Sequence, residues 1–219
     1  MRPALLLGLL ALAACTTPGT TPGAPAAPET AANAAGRPSP LAVVQGFRQQ
    51  MPFLQRTEPV IDLEAGGLRG LGAAVRYVGI NGLPGHATVY VYDRGHTLSA
   101  EGADNPQVLR ELEVSAAEIL AVARAGRLRD VSRVTASVND GPPSEILSGG
   151  PATGPGSTRC RAFAATLADS GTRVGEAVCL TVRDGRFVKT RVTLRDRATV
   201  AFMLASNLIT EVLPPAKPV

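Results

Sequence analysis

Cysteine is the residue type with the most definite chemistry in this chain, and its three copies divide by position. Cys15 closes the stretch Leu12-Ala13-Ala14-Cys15, behind Met1-Arg2 and an apolar run from Ala4 to Leu12. Small residues before a cysteine at the end of such a run form a lipobox, which directs cleavage ahead of the cysteine and acylation of its thiol. A membrane-spanning helix needs ~20 apolar residues, so residues 1–14 are expected to be a cleaved signal peptide. Two or more acyl chains on Cys15 would then hold the protein to a membrane, since each buried CH₂ contributes ~0.8 kcal/mol. The alternative is an ordinary secretory leader with an incidental cysteine.

Cys160 and Cys179 remain as a pair. An exported chain reaches a compartment in which disulfides persist. The residues between them read as a hairpin. A turn at Asp169-Ser170 sets the two cysteines opposite one another, with Cα atoms ~4.5–5.5 Å apart, inside the range a disulfide can bridge. This predicts a structural bridge. Two free buried thiols are one alternative. A redox-active pair is another, although such pairs usually sit as Cys-x-x-Cys at a helix start.

Other groups able to do chemistry are spread out. His86 and His96 flank a predicted strand with Asp93 nearby. Ten residues of straight strand would hold them ~30 Å apart, too far to share a metal. Tyr77, Tyr90 and Tyr92 fall on one predicted hairpin. They either pack under a helix, or Tyr90 and Tyr92 line a ligand or partner surface. Arg124, Arg127, Arg129 and Arg133 follow a predicted helix, where cations complement its dipole; the alternative is contact with anionic lipid headgroups. Arg183, Arg186, Arg191, Arg195 and Arg197 surround the last hairpin and read mostly as a solvated face. No Gly-x-Ser-x-Gly elbow, zinc helix, phosphate-binding glycine loop or EF-hand loop occurs. The expectation is a protein that is not an enzyme, with no catalytic residue, metal or cofactor.

Composition narrows the partners. The formal net charge is +4, or +3 once Arg2 leaves with the leader. No basic face or aromatic stacking platform accompanies it, which argues against nucleic acid. Aromatic content is 4% with no Trp, so Ala, Val and Leu must build the core. Of 22 basic residues only Lys189 and Lys217 are lysine.

The elements that would position these groups begin after a tether. Residues 16–40 are rich in Thr, Pro, Gly and Ala, offer no apolar face and are expected to stay disordered. As a coil they would span roughly 25–30 Å. A single globular domain is expected over 41–213, with a loose tail at 214–219. Leu41 to Gln55 fits a helical face broken by Gly46 and ended by Pro52. Val60 to Glu64 suits a short edge strand. Strands at 74–80 and 87–93 form a hairpin, with Tyr90 and Tyr92 on one face and Val89 and Val91 on the other. Asp104 or Asn105 caps a helix starting at Pro106 and ending near Gly126. Val131 to Val138 returns to strand. Residues 139–158 form a Gly/Pro/Ser-rich loop that reads as disordered. Strands follow at 159–167, 173–182 and 186–194, the last two joined by an Asp184-Gly185 turn. Asp196 then caps a helix over 197–213. The result is an α+β class, a mostly antiparallel sheet of about six strands covered on both faces by two main helices.

Three segments carry a resemblance. Gly70-Leu71-Gly72-Ala73-Ala74-Val75-Arg76-Tyr77, Tyr90-Val91-Tyr92-Asp93-Arg94-Gly95 and the Gly102 to Pro106 helix start look like a group of uncharacterised proteobacterial secreted or lipid-anchored proteins. The order of elements resembles the PsbP/Mog1-type α/β/α sandwich. Neither resemblance implies an activity or a site residue. Thr16 after the cysteine, by similarity to enteric lipoproteins, implies the outer membrane, facing the periplasm. The expected role is an envelope lipoprotein acting as a non-catalytic interaction or accessory module, with an envelope protein as partner. The alternative is a binding protein for a small apolar or lipidic ligand in a cavity lined by Val, Leu and Ala.

Overall fold

The computed structural model describes residues 37–67, 69–96, 98, 102–135, 144–150 and 157–213. Cys15, the predicted leader, residues 16–36 of the tether, the tail at 214–219 and the end of the strand predicted at 131–138 lie outside the described residues. The elements in order are α1 (Pro40–Gln45), β1 (Gln50–Met51), β2 (Leu54–Arg56), β3 (Ile61–Asp62), β4 (Ala73–Gly79), β5 (Gly85–Tyr92), α2 (Pro106–Arg124), β6 (Leu128–Arg133), β7 (Leu147–Gly149), β8 (Thr158–Leu167), β9 (Arg173–Arg183), β10 (Arg186–Arg195) and α3 (Ala198–Val212).

One antiparallel sheet runs β1-β2-β4-β5-β10-β9-β8-β6, with β3 on β4 and β7 on β8. Six strands are long, and β3 is the short edge strand expected over 60–64. Three more among the described residues, β1, β2 and β7, are two or three residues each. So short a strand holds at most one alternation of apolar and polar side chains, which is why the expectation of about six strands fell short of the ten described. Asp184 and Gly185 both take positive φ and close the β9–β10 hairpin, as the Asp-Gly pair predicts.

Central strand β9 explains the layering. Val174, Val178, Leu180 and Val182 point to one face, and Ala177 and Cys179 to the other. The first set meets Val108, Leu112, Ala116 and Ile119 of α2. The second meets Ala201, Ala205, Leu208 and Ile209 of α3, and Val44 of α1 joins the same layer over β4 and β5. Helices therefore cover both faces, and the core splits into two layers. Cys160 and Cys179 are direct cross-strand partners, joined by a disulfide with Cα atoms 4.1 Å apart, on the α3 face. The predicted bridge is present.

Several local expectations are corrected. The first helix ends at Gln45, where Gly46 caps it. Phe47, Met51 and Leu54 are buried as their spacing suggested, but Met51 and Leu54 reach the core from a hairpin around Pro52. Asp196 does not cap α3. Arg197 holds that position without a side-chain bond, and Asp196 pairs with Arg173 at 3.5 Å. Strand β6 begins three residues earlier than expected. The segment read as a disordered loop contains β7, and Glu145 within it receives Arg133 and Arg161. That acid ties β6 and β8 together, a role visible only once the strands are adjacent.

Candidate functional site

Helix α2 sets the site by covering only part of its sheet face. Asn105 caps it, its Oδ1 accepting from the Gln107 amide at 2.8 Å, and Pro106 pre-forms the first turn. Its apolar stripe packs over β8 and β9. One flank, carrying Glu111, Ser115, Glu118 and Val122 at helical spacing, faces β10 and β5 instead. Register places Tyr92, Tyr90, Thr88 and His86 of β5 beside Phe187, Lys189, Arg191 and Thr193 of β10 on this same face. Polar side chains thus occupy the sheet where the helix stops.

Three buried polar groupings follow along this flank. In the first, Tyr92 donates to Glu111 Oε1 at 2.7 Å, and Arg94 Nη2 donates to the same oxygen at 2.8 Å. The Arg94 guanidinium also lies 5.2 Å from the Tyr92 ring centre. In the second, Lys189 Nζ donates to Ser115 Oγ at 3.4 Å and lies 3.6 Å from Glu118 Oε2. It stands over the Tyr90 and Tyr92 rings at 4.9 and 5.4 Å. In the third, Glu176 accepts from Arg191 Nε and Nη2 at 3.3 Å and from Thr193 Oγ1 at 2.7 Å. The Glu176 side chain is 6% exposed and thus depends on those donors.

Two open cavities border these groupings. A cleft of about 670 Å³ lies between the C-terminal end of α2 and the β8–β9 turn. Val122, Leu128 and Leu167 form its apolar wall; His86, Arg191 and Thr193 form its polar floor. A smaller cavity of about 190 Å³ is bounded by Leu63, Leu71, Tyr90, Tyr92, Glu118 and Lys189. Neither is the Val/Leu/Ala-lined internal cavity that the alternative ligand-binding reading predicts: each opens to solvent and mixes apolar with charged side chains.

Burial and environment shift three of these groups, with the hydrogen bond to Glu111 raising Arg94. Burial, reinforced by the charge and hydrogen bond of Glu111, pushes the Tyr92 hydroxyl well above the usual tyrosine value. Burial lowers Lys189; Glu118 and Glu111 oppose this, while Arg94 and Arg191 add to it. Tyr92 gives a pH prediction. Its folded-state pKa is raised, so its contribution is complete below about pH 9, is part-way into its loss near the unfolded tyrosine pKa of ~10, and falls further as pH climbs. Tyr92→Phe should therefore flatten the alkaline fall of stability between pH 9 and 11 in urea titrations. It should also cost ~1.5–3 kcal/mol at neutral pH through the lost charged hydrogen bond. Parallel alkaline limbs in the two proteins would contradict the assignment.

The sequence candidates land as follows. Tyr90 and Tyr92 share the α2 face and line the small cavity, with Tyr92 buried and Tyr90 half-buried. Tyr77 lies on the opposite face, bonded to the Arg48 carbonyl at 3.0 Å, so the three tyrosines do not form one cluster. His86 is exposed on the cleft floor, and His96 sits in the turn after β5. Asp93 closes that turn by accepting from the Gly95 amide at 2.8 Å. Among the described residues no three His, Cys, Asp or Glu side chains converge as metal ligands. Arg191 and Arg186, expected on a solvated face, are half-buried and buried. Glu111, Glu176 and Lys189 were missed. Their signal was a charge set within an apolar run of helix or strand, and for Lys189 its rarity as well. No protein-family model matches the chain, and no curated protein matches it.

Proposed function

We propose that this protein is a bacterial envelope lipoprotein anchored through Cys15, whose globular domain is a non-catalytic interaction or accessory module working beside α2. The observation that carries the reading is the partly uncovered sheet face, where a cleft with one apolar and one polar wall meets fixed hydrogen-bonding groups. Glu111 and Glu176 each accept three hydrogen bonds from structural donors. This supports recognition, because an acid–base catalyst needs a free proton site. The anchor is supported by the residues around Cys15 and by the nearly uncharged stretch behind it. Placement on the outer membrane facing the periplasm rests on Thr16. Antiparallel order with helices on both faces supports the likeness to the PsbP/Mog1 fold.

A second reading is favoured by the cleft's size. At about 670 Å³ it falls within the ~300–1,000 Å³ range of small-molecule sites. Its two walls suit an amphipathic rather than a wholly apolar ligand. Both readings place contact at the same surface. The test uses the full chain in a bacterial envelope fed alkyne-palmitate, with a benzophenone side chain replacing Arg127 at the cleft rim. Palmitate on Cys15 and a discrete photoadduct from position 127 are the expected results. An adduct of protein size supports the accessory reading, and one of small-molecule mass the ligand reading.

A further inference from the structure

Lys189 stands out in composition and in place. Lysine and arginine total 22, yet Lys189 and Lys217 are the only lysines. Where arginine serves nearly every cationic position, the lysine on β10 is buried and borders a cavity. Arginine cannot lose its proton at working pH, whereas a buried lysine can and then becomes a nucleophile.

The surroundings meet the needs of amine chemistry. Glu118 Oε2, 3.6 Å from Nζ, is placed to take the ammonium proton. Ser115 Oγ, at 3.4 Å, orients the nitrogen. Leu63 and Leu71 supply the apolar wall opposite, and the Tyr90 and Tyr92 rings flank the nitrogen. The cavity measures about 190 Å³. An apolar cavity of ~150 Å³ holds benzene, so a single-ring molecule fits. Among the described residues, the charged groups that act on the amine are Glu118 and Glu111 from α2, Arg94 after β5, and Arg191 on β10 itself.

We propose that Lys189 is a carbonyl-capturing amine, its Nζ condensing with a small aldehyde seated in this cavity. The ammonium passes a proton to Glu118. The freed lone pair attacks the carbonyl carbon, forming the C–N bond as the C=O π pair moves to oxygen. Protonation of that oxygen and loss of a proton from nitrogen give the carbinolamine. Glu118 returns its proton to the carbinolamine hydroxyl, the C–O bond breaks, water leaves, and the nitrogen lone pair closes the C=N bond of an iminium, which gives the imine on releasing its N–H proton to solvent. Amine and aldehyde become imine and water with no oxidant or reductant. Burial favours the neutral amine from which the step starts, and two aromatic faces favour a flat, conjugated imine. The capture is independent of the Cys15 anchor and of the larger cleft.

The two-lysine chain makes the test direct. Full-length, disulfide-intact protein is treated with benzaldehyde and sodium cyanoborohydride at pH 7, which reduces any imine to a stable benzylamine. Peptide mapping then gives the ratio of label at Lys189 to label at Lys217. The expected result is a ratio above one. Leu71→Trp, which fills the cavity, should lower labelling of Lys189 severalfold and leave Lys217 unchanged. Glu118→Gln, a surface-side change that keeps the fold, should slow Lys189 alone. A ratio of one or less, or a Lys189 rate indifferent to both variants, would overturn the proposal.

Discussion

Reducing the Cys160–Cys179 bridge is expected to lower the unfolding free energy by ~3 kcal/mol. The two cysteines are 19 residues apart in sequence, and closing a loop of about that length removes this much chain entropy from the unfolded state. Reduction leaves both sulfurs in place, so packing around them changes little and the effect is that of the constraint. The bridge joins β8 to β9 under α3, with both cysteines fully buried. Its loss should therefore be global: the urea midpoint should fall by about 1 M or more for a slope of ~1–3 kcal/mol/M. Matched curves with and without dithiothreitol measure it. Coincident midpoints would mean that the bridge carries no stability.

Gly72→Ala should be more damaging, at ~3–5 kcal/mol. Gly72 has φ +64°, and a Cβ there would lie 1.9 Å from the Val91 carbonyl oxygen. The conformation alone costs ~1–2 kcal/mol for a side-chain-bearing residue. The clash is with the backbone of β5, which carries Tyr90 and Tyr92, so relief requires moving the strand that floors the site. Gly82 provides the control. Its φ is +78°, but nothing lies within 4 Å of a Cβ built there. Gly82→Ala should cost only the ~1–2 kcal/mol of the left-handed backbone. Thermal or urea unfolding of the two variants separates the terms. Equal losses would contradict the close approach of residue 72 to β5.

What the sequence disclosed was mostly local in origin. Asp184-Gly185 encodes its turn because two positive φ values admit few residue types. Asn105-Pro106 encodes a helix start through one side-chain acceptor and one fixed φ. From the β8–β9 turn the register follows by counting, and with it the disulfide. The site was less legible because its parts are distant in sequence. Glu111 meets Tyr92 and Arg94 across 19 and 17 residues, and Lys189 meets Ser115 across 74. No periodicity reports such meetings. The useful trace was a mismatch: Glu176 interrupts the apolar face Val174, Val178, Leu180 and Val182, and a charge there must find partners. Asp196 shows the reverse failure, where a good capping residue type was drawn instead to Arg173 across the chain.

The separation of roles bears on function. Face by face, α3 covers a layer free of buried charge, apolar but for hydroxyls such as Thr158, Thr190 and Ser206 and closed by the disulfide, while α2 leaves charged and aromatic groups beside open cavities. Buried charges held by complete donor sets favour a fixed arrangement over packing energy alone. A half-polar surface of this kind suits the recognition role proposed above for a lipid-anchored domain.

The most direct measurement compares photocrosslinking from Arg127, at the cleft rim, with crosslinking from Met203, 48% exposed on α3. Each carries a benzophenone side chain in the full-length chain, expressed in a bacterial envelope with Cys15 intact or replaced by Ala. The account predicts a discrete adduct from position 127 and none from position 203, together with palmitate labelling and membrane retention that vanish in Cys15→Ala. Adducts arising equally from both positions, or membrane retention that survives the loss of Cys15, would contradict it.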